Sequence, residues 1–236
     1  MKDVTGVIFR LDDYASKVDS LRALICTTIA FTACFSVWTI FSIIGIRIKQ
    51  EIGLSDTQFG ILVATPILTG SLTRLFLGIW TDQYGGRIVL TILMIVASIS
   101  TWMITYASTY HQFVFSALGM GISGGSFAVG IAYVSRWYDK TKQGTVLGVF
   151  GMGNFGAAIT NFGAPFLLFL GWHGVAKVYS ITLFCVAILY FLITKTDPML
   201  IYRKKNNLKF ESAVTQLFPL KNIQVWRFSL YYFFVF

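Results

Sequence analysis

Six stretches of this chain are long enough and apolar enough to cross a lipid bilayer, and they constrain its fold more than any other feature. Hydrophobic residues make up 56% of the chain and charged residues only 12%, which excludes an ordinary soluble domain. The sequence therefore predicts an all-α membrane fold with a bundle of six transmembrane helices. The six stretches span residues 23–46, 58–80, 88–107, 112–135, 144–170 and 175–194.

A seventh apolar run starts at Phe228 and reaches the last residue, Phe236. At about 1.5 Å per helical residue, it covers less than half of a hydrocarbon core of about 30 Å. We therefore expect only the start of a seventh helix, cut within its span. A long loop between two apolar blocks is typical of one helical bundle followed by a second. The expected organisation is an N-terminal segment at 1–22, the bundle at 23–194, a loop at 195–226 and the start of helix seven at 227–236.

The positive charges predict the orientation in the membrane. Most of the 19 Lys and Arg residues fall in the N-terminal segment, in two of the short loops and in the loop at 195–226. The loops on the opposite side hold only Arg47, Lys49 and Lys177. Because cytoplasmic loops are enriched in Lys and Arg, we predict a multi-pass protein of the cell inner (plasma) membrane with a cytoplasmic N-terminus. The net charge of +9 then reflects topology and contact with anionic lipid, so no nucleic-acid partner is expected.

The reactive side chains indicate neither a metal site nor a catalytic centre. Cys26, Cys34 and Cys185 fall within predicted spans and show no CxxC spacing. His111 and His173 lie at the outer ends of predicted helices. The spans contain no paired carboxylates, metal-ligand cluster or nucleophile arrangement, so we expect no enzymatic activity and no cofactor.

The predicted second helix contains a single charge, Arg74, within residues 58–80. A guanidinium at that depth must face a protein interior or an aqueous cavity, and it is by default a candidate functional group. Gly70 and Gly78 lie about one turn before and after it on the same helical face, which leaves room for a ligand. The alternative is that the flexible side chain extends along the helix, over about 9 Å, to the Trp80 end of the span.

The spans contain no acid that could neutralise this arginine, because none of the 10 Asp and Glu residues falls inside a span. A permanent internal salt bridge is therefore not expected in this part of the protein, nor is a proton relay through buried carboxylates. A mobile anion would satisfy the charge, and a planar oxyanion matches the two parallel hydrogen bonds that a guanidinium donates. The sequence thus predicts a small-anion site at Arg74.

The predicted fifth helix places Asn154 among Gly151, Gly153 and Gly156. A buried amide needs a partner, since leaving it unpaired costs on the order of 1–3 kcal/mol. It either joins a neighbouring helix or binds a ligand, and both interpretations stay open at this point. The many glycines of predicted helices four and five also indicate close helix packing and interfaces that can slide or rock.

The loop between predicted helices two and three contains Gly78, Asp82, Gly85 and Arg87. Asp82 lies just past one helix end and Arg87 just before the next, so the two can form an ion pair across a tight glycine turn. A solvated loop with incidental charges would show a similar pattern.

With these motifs the chain resembles the major facilitator superfamily, and within it the nitrate/nitrite porter family. The four loop residues match the second-to-third loop motif of the superfamily, which implies a role in gating for each of them. Gln83 and Gly86 replace the usual basic residues of that motif, a departure that concerns the strength of gating. The segment QGTVLGVFGMGNFGAAITNFGAP at 143–165 is similar to the glycine-rich nitrate signature of the family.

The resemblance implies an anion site built from several helices. Arg74 corresponds to the arginine that binds nitrate, and Asn154 lines the site. The segment GGSFAVGIAYVS also resembles the sequences of the family, which implies that Phe127 is an apolar wall residue of the site. The final segment, WRFSLYYFFVF, is similar to the family's helix seven, in which Tyr232 would hydrogen-bond the substrate and Phe236 would cover it. A second substrate arginine lies on the family's helix eight, so a C-terminal six-helix half is expected as a partner.

Together these features predict a secondary active transporter that moves nitrate and nitrite by alternating access. Its expected partners are the small inorganic anion and the lipid bilayer. One alternative is a transporter of another small monoanion, such as formate, cyanate or a small carboxylate, on the same fold. Another is a membrane scaffold that does not transport.

Overall fold

The computed structural model describes residues 14–208, 215 and 218–235. Within these residues every regular element is a helix, in agreement with the predicted all-α membrane fold. Five continuous helical runs are long and apolar enough to cross a membrane, judged by length and composition. They are Lys17–Ile52, Asp56–Tyr84, Gly86–Ile104, Tyr110–Ser135 and Gln143–Ile193.

The last of these runs contains two crossings. As one straight helix its 51 residues would extend about 76 Å, more than twice a hydrocarbon core of about 30 Å. The chain turns at Gly171, whose φ of +71° lies in the left-handed region that favours glycine.

Contacts with the first helix reveal this reversal. Thr160 Oγ1 donates to the carbonyl oxygen of Ser36 at 2.7 Å, whereas the Tyr190 hydroxyl lies 3.5 Å from the hydroxyl of Thr27. The chain therefore runs along the first helix towards the Ser36 end before Gly171, and it runs back towards the Thr27 end afterwards. This arrangement confirms the six predicted crossings.

We number the helices in chain order and the crossings from one to six. The helices are α1 (Lys17–Trp38), α2 (Phe41–Ile52), α3 (Asp56–Tyr84), α4 (Gly86–Ile104), α5 (Tyr110–Gly121), α6 (Ser126–Ser135), α7 (Gln143–Gly151), α8 (Phe155–Leu167), α9 (Gly171–Ile193), α10 (Pro198–Lys205) and α11 (Ile223–Val235). Short 3-10 turns join α5 to α6 (Ile122–Gly125), α7 to α8 (Met152–Asn154) and α8 to α9 (Leu168–Leu170), and another precedes α11 (Phe218–Lys221). Crossing one comprises α1 and α2, crossing two α3, crossing three α4, crossing four α5 and α6, crossing five α7 and α8, and crossing six α9.

Local side-chain chemistry fixes several helix ends. Ser55 and Gln58 exchange capping hydrogen bonds at the start of α3, so two main-chain N–H groups are satisfied there. Asp197 caps α10 by accepting from the Leu200 N–H at 2.9 Å. Among the described residues of the segment predicted as a loop at 195–226, the structure places α10, a 3-10 turn and the first turn of α11.

The six crossings form one bundle. The largest apolar cluster of the core contains buried residues from all six. Ser98 on α4 and Ser180 on α9 exchange hydrogen bonds between hydroxyls and carbonyls at 2.9 and 2.8 Å. We call the end where α3 meets α4 and α6 meets α7 the basic end, since its loops carry most of the positive charge. At the opposite end, Trp172 Nε1 donates to Glu51 Oε2 at 2.5 Å and joins α9 to α2.

Candidate functional site

Arg74 lies on α3 and contacts the middle of crossing four. Its Nε–H donates to the carbonyl oxygen of Gly124 at 3.3 Å, in the 3-10 turn between α5 and α6. That turn is near the centre of the run Tyr110–Ser135, so the side chain is anchored within the span. It is not extended towards Trp80 at the basic end, which is the alternative that the sequence leaves open.

The space expected on both sides of Arg74 exists on one side only. A Cβ atom at Gly70 would lie 2.9 Å from the Gly121 carbonyl oxygen and 3.1 Å from Trp38 Nε1, because the main chain of crossing four packs directly on α3. At Gly78, no atom of the described residues lies within 4 Å of such a Cβ. The opening beside the arginine is therefore on the side of the basic end.

The charge of Arg74 has no counter-ion in the part of the chain that the structure describes, where no carboxylate forms a salt bridge with it. Its hydrogen bond to Gly124 uses Nε alone, so both Nη nitrogens remain able to donate. A partly buried charge without a partner is unfavourable, and a bound anion would relieve that cost.

Three phenylalanines pack together beside the 3-10 turn of crossing four. Phe127 is half-buried, and its ring centroid lies 5.4 Å from that of Phe31 and 5.9 Å from that of Phe150. Phe31 and Phe150 are stacked with centroids 4.9 Å apart. We call these three residues the phenylalanine wall. Phe127 follows Gly124 by about one helical turn, so the wall begins close to the carbonyl group that binds the arginine.

Asn154 is exposed in the 3-10 turn between α7 and α8. Its Nδ2 donates to the carbonyl oxygen of Gly151, within its own helical run, at 3.0 Å. Among the described residues it makes no hydrogen bond to another crossing, so no interhelical bond of this amide is observed in that part of the chain. The neighbouring Gly153 is buried directly against the Phe31 ring, which leaves no room for a Cβ atom.

Helix α1 connects the two 3-10 turns. Trp38 lies against Gly124 in the turn of crossing four, and Phe31 lies against Gly153 in the turn of crossing five. Because these two aromatic residues are separated by about two helical turns, they lie on the same side of α1. The fold therefore brings the turn that binds Arg74 and the turn that contains Asn154 to the same side of α1.

Sequence reasoning does not point to Phe31 and Trp38, because they carry no charge and belong to no motif. A signal was nevertheless present in their spacing. Phe31, Phe35 and Trp38 recur at the interval of one helical face, and their consecutive ring centroids lie 5.5 and 5.0 Å apart. An aromatic stripe next to the predicted arginine helix could have identified them.

Two predicted site residues have no described side chain. Tyr232 belongs to α11, but its side chain lies outside what the structure describes. Phe236 lies outside the described residues altogether. Their assignment as substrate contacts stays a prediction.

The predicted ion pair between Asp82 and Arg87 is wrong. Asp82 instead forms an ion pair with Arg136, at the end of α6. Arg87 donates from Nη2 and Nε to the carbonyl oxygen of Phe191 at 2.6 and 3.2 Å, and its guanidinium carbon lies 4.3 Å from the centre of that ring. The reason is the packing of the helices: the end of α3 meets α6, whereas the first turn of α4 meets α9.

A second carboxylate completes this cluster at the basic end. Asp197 Oδ2 lies 3.4 Å from Arg136 Nη1, and the Asp197 side chain is fully buried. Gly85, with a φ of +88°, lies beside it, and a Cβ there would be 2.9 Å from Leu200 Cδ2 and 3.3 Å from Asp197 Oδ2. Glycine is therefore required at this position both by its φ and by the closeness of α10. The Asp-Pro pair that starts α10 marks a helix cap in the sequence, but it does not predict the ion pair.

These groups suit non-covalent binding of an anion. A half-buried guanidinium attracts negative charge and donates paired hydrogen bonds, and an exposed amide can add another. The phenylalanine wall provides an apolar side that limits contact with water.

The comparison with known families identifies the superfamily. Residues 26–236 match the family model described as Major Facilitator Superfamily. Members of this superfamily are transporters, so the expectation that the chain belongs to a transporter rather than to an enzyme is confirmed.

Several curated relatives are named as nitrate or nitrite transporters. The chain is 38% identical over 232 residues to the probable nitrate/nitrite antiporter NarK1 of Thermus thermophilus, a match that covers 92% of this chain and 51% of the relative. It is 31% identical to the probable nitrate transporter NarT of Staphylococcus epidermidis, covering 89% of this chain and 52% of the relative. It is 29% identical to the nitrite extrusion protein of Bacillus subtilis, with coverages of 89% and 51%. The chain thus spans about half the length of the curated relatives it matches.

A solved structure supports the fold. A bacterial homolog to the human lysosomal transporter Spinster, in an inward-facing and occupied conformation, is similar with a TM-score of 0.65 at 21% sequence identity. The match covers 78% of this chain and 46% of that chain. The chain therefore belongs to the major facilitator superfamily, and its resemblance to the nitrate/nitrite porters within that superfamily is confirmed by these relatives.

Proposed function

We propose that this chain supplies one six-helix half of a membrane transporter for nitrate and nitrite, in which Arg74 is the charge partner of the transported anion. The guanidinium of Arg74 lies at mid-depth and forms no salt bridge with any described carboxylate, and this supports the proposal most strongly. The names of the relatives support the choice of anion. Because the chain spans about half of their length, the second half is part of the proposal.

The orientation of the guanidinium supports a contact at two points. The bond from Nε of Arg74 to Gly124 restrains the plane of the group and leaves its Nη1 and Nη2 edge free. That edge can donate two parallel hydrogen bonds to two oxygens of one planar oxyanion. Nitrate and nitrite each offer two such oxygens and one negative charge.

Asn154 and Phe127 complete the proposed site in this half. The exposed amide is free to bond an anion oxygen, since its one described hydrogen bond stays within its own helical run. The phenylalanine wall limits water, and a lower local dielectric strengthens the attraction between the guanidinium and the anion. Tyr232 and Phe236, from helix seven, are proposed to hydrogen-bond and cover the anion, as the family resemblance implies.

Alternating access needs an end of the bundle that opens and closes, and we propose that the basic end contains this gate. Asp82 contributes through its ion pair with Arg136, which ties α3 to α6. Gly85 contributes by allowing α10 to pack against the turn. Arg87 contributes by joining the start of α4 to the end of α9, and Gly78 by leaving space beside α3. The excess of Lys and Arg at this end supports a cytoplasmic position, in the inner (plasma) membrane.

The experiment requires both halves of the transporter. A chimera would join residues 1–222 of this chain to the second half of the Thermus thermophilus relative, starting at its helix seven. After reconstitution in vesicles, Arg74→Lys is expected to lower nitrate uptake about 100-fold, since losing paired charge-assisted bonds costs about 3 kcal/mol. Arg47→Lys makes the same change at an exposed position near the opposite end, and it should leave uptake unchanged.

Two results would contradict the proposal. Equal nitrate uptake by wild type and Arg74→Lys would mean that uptake does not need the paired hydrogen bonds of the guanidinium. Inhibition of labelled nitrite uptake by formate or cyanate as strong as that by unlabelled nitrite would make the substrate a broader class of monoanion.

A further inference from the structure

An apolar groove lies where crossings one, five and six meet. It is on the opposite side of α1 from Phe31, Phe35 and Trp38. Its main cavity has a volume of about 430 Å³. It is lined by Ile29 and Ala33 of α1, by Gly163 of α8 and by Thr182 and Val186 of α9, among others. None of these residues belongs to the proposed anion site.

The groove continues towards the basic end through a second cavity of about 130 Å³. The two cavities share Ile29 and Val186, and the second adds Cys26 and Ile193. Along α1, the joined groove runs from Cys26 to Val37, which corresponds to about 16 Å at 1.5 Å per residue. This length matches one leaflet of a hydrocarbon core that is about 30 Å thick.

Two positively charged side chains lie near the basic end of the groove. Arg22 lies one helical turn before Cys26 on the same face of α1, and Lys195 follows Ile193 by two residues. Both side chains are mostly exposed, at 56% and 62%. They share one carboxylate, Asp19, which lies 3.0 Å from Lys195 Nζ and 3.9 Å from Arg22 Nη1. In the part of the chain that the structure describes, the groove therefore ends at two cations and one anion, a net charge of plus one.

We propose that this groove is a binding site for an anionic phospholipid, with one acyl chain in the groove and the phosphate at Arg22 and Lys195. A lipid phosphodiester carries one negative charge, which complements the net charge at the end of the groove. The headgroup of a zwitterionic lipid would bring a further cation next to Arg22 and Lys195, so the site favours a lipid such as phosphatidylglycerol. The apolar groove is long enough to bind one acyl chain of the lipid, and the positive charge at its end selects an anionic headgroup.

The site can be tested on the 236-residue chain itself, purified in detergent. The protein is mixed with equal amounts of phosphatidylglycerol and phosphatidylcholine that have identical acyl chains, and native mass spectrometry counts the lipids that remain bound. We expect wild type to retain phosphatidylglycerol about tenfold more than phosphatidylcholine, the ratio that one charge-assisted contact supplies. Arg22→Gln should lose most of this preference. Lys177→Gln, with the same loss of charge at the opposite end, should keep it.

A second pair of variants tests the groove rather than the charge. Gly163→Leu adds a side chain where no atom of the described residues lies within 4 Å of a new Cβ, so it fills the groove without a clash. Gly60→Leu does the same on α3, away from the groove. Gly163→Leu should lose both lipids, and Gly60→Leu should retain them, with both variants monodisperse in size-exclusion chromatography.

Three results would overturn the lipid site. They are equal retention of the two lipids by wild type, an unchanged preference in Arg22→Gln, and equal lipid retention by Gly163→Leu and Gly60→Leu. None of these results depends on nitrate transport.

Discussion

Two arginines of this bundle have opposite surroundings. Arg136, at the basic end, forms ion pairs with Asp82 and Asp197. Arg74, at mid-depth, donates one hydrogen bond to the carbonyl oxygen of Gly124 and forms no salt bridge within the described chain. The same type of side chain thus has carboxylate partners in one region and none among the described residues in the other.

This difference separates an arginine that forms structural ion pairs from one that we propose binds the transported anion. The two carboxylates at the basic end more than balance the charge of Arg136, so that group has little affinity left for an anion. Its bonds instead join α3, α6 and the residue that caps α10. The charge at mid-depth is balanced by nothing in the described chain, and the bond at Nε restrains its orientation. The first arrangement stabilises the fold, and we propose that the second attracts the transported anion.

The largest expected effect on stability comes from Arg136→Gln. This change leaves the fully buried Asp197 without its cation, and breaking a buried pair in this way costs about 3 kcal/mol. We expect a loss of that size in the free energy of unfolding, measured in detergent. Arg47→Gln removes an exposed arginine and should change the same quantity by less than about 0.5 kcal/mol. Similar small losses for both variants would mean that the ion pairs of Arg136 do not stabilise the fold.

A smaller effect, on transport alone, is expected from Asn154→Ala. In the chimera, loss of one hydrogen bond to the charged substrate should lower nitrate uptake about tenfold. Stability should be nearly unchanged, because the amide is exposed and its described bond stays within its own helical run. Asn161→Ala removes another exposed amide of crossing five and should leave uptake at the wild-type level. Equal uptake by the two variants would argue that Asn154 does not contact the anion.

The smallest expected effect is that of Arg74→Gln on stability. It removes one hydrogen bond of 3.3 Å and no salt bridge of the described chain, so we expect a loss below about 1 kcal/mol in the free energy of unfolding. The same substitution at Arg136 should cost several times more free energy of unfolding, since it breaks ion pairs with two carboxylates. A loss as large as that of Arg136→Gln would mean that Arg74 holds the fold together.

Much of the fold follows from composition along the chain. Six crossings can be predicted because a bilayer imposes a length and an apolarity that the sequence must satisfy. The break between the stretches at 144–170 and 175–194 also coincides with the turn at Gly171, although helices α8 and α9 continue almost without interruption there. The two 3-10 turns at mid-depth, in contrast, are missed. Glycine-rich sequence indicates close packing, but the position of each turn depends on where α1 presents Phe31 and Trp38.

The candidate site is predictable where one residue decides and unpredictable where packing decides. Arg74 can be recognised from the sequence alone, because a charge within a membrane span costs free energy whatever its neighbours are. The pairing of Asp82 cannot be read from the sequence, since both Arg87 and Arg136 are near a helix end, and only the packing of α3 on α6 selects between them. The burial of Asp197 likewise depends on how α10 packs against Gly85.

Nitrate binding to the chimera shows whether the Arg74 guanidinium binds the transported anion, as we propose. The measurement is the rise in the free energy of unfolding of the chimera when nitrate is added, for wild type and for Arg74→Gln. At a concentration 100 times the wild-type Kd, bound nitrate should stabilise wild type by about 2.7 kcal/mol, and a variant that binds about 100-fold more weakly by about 0.4 kcal/mol. An equal rise in both proteins would contradict the claim.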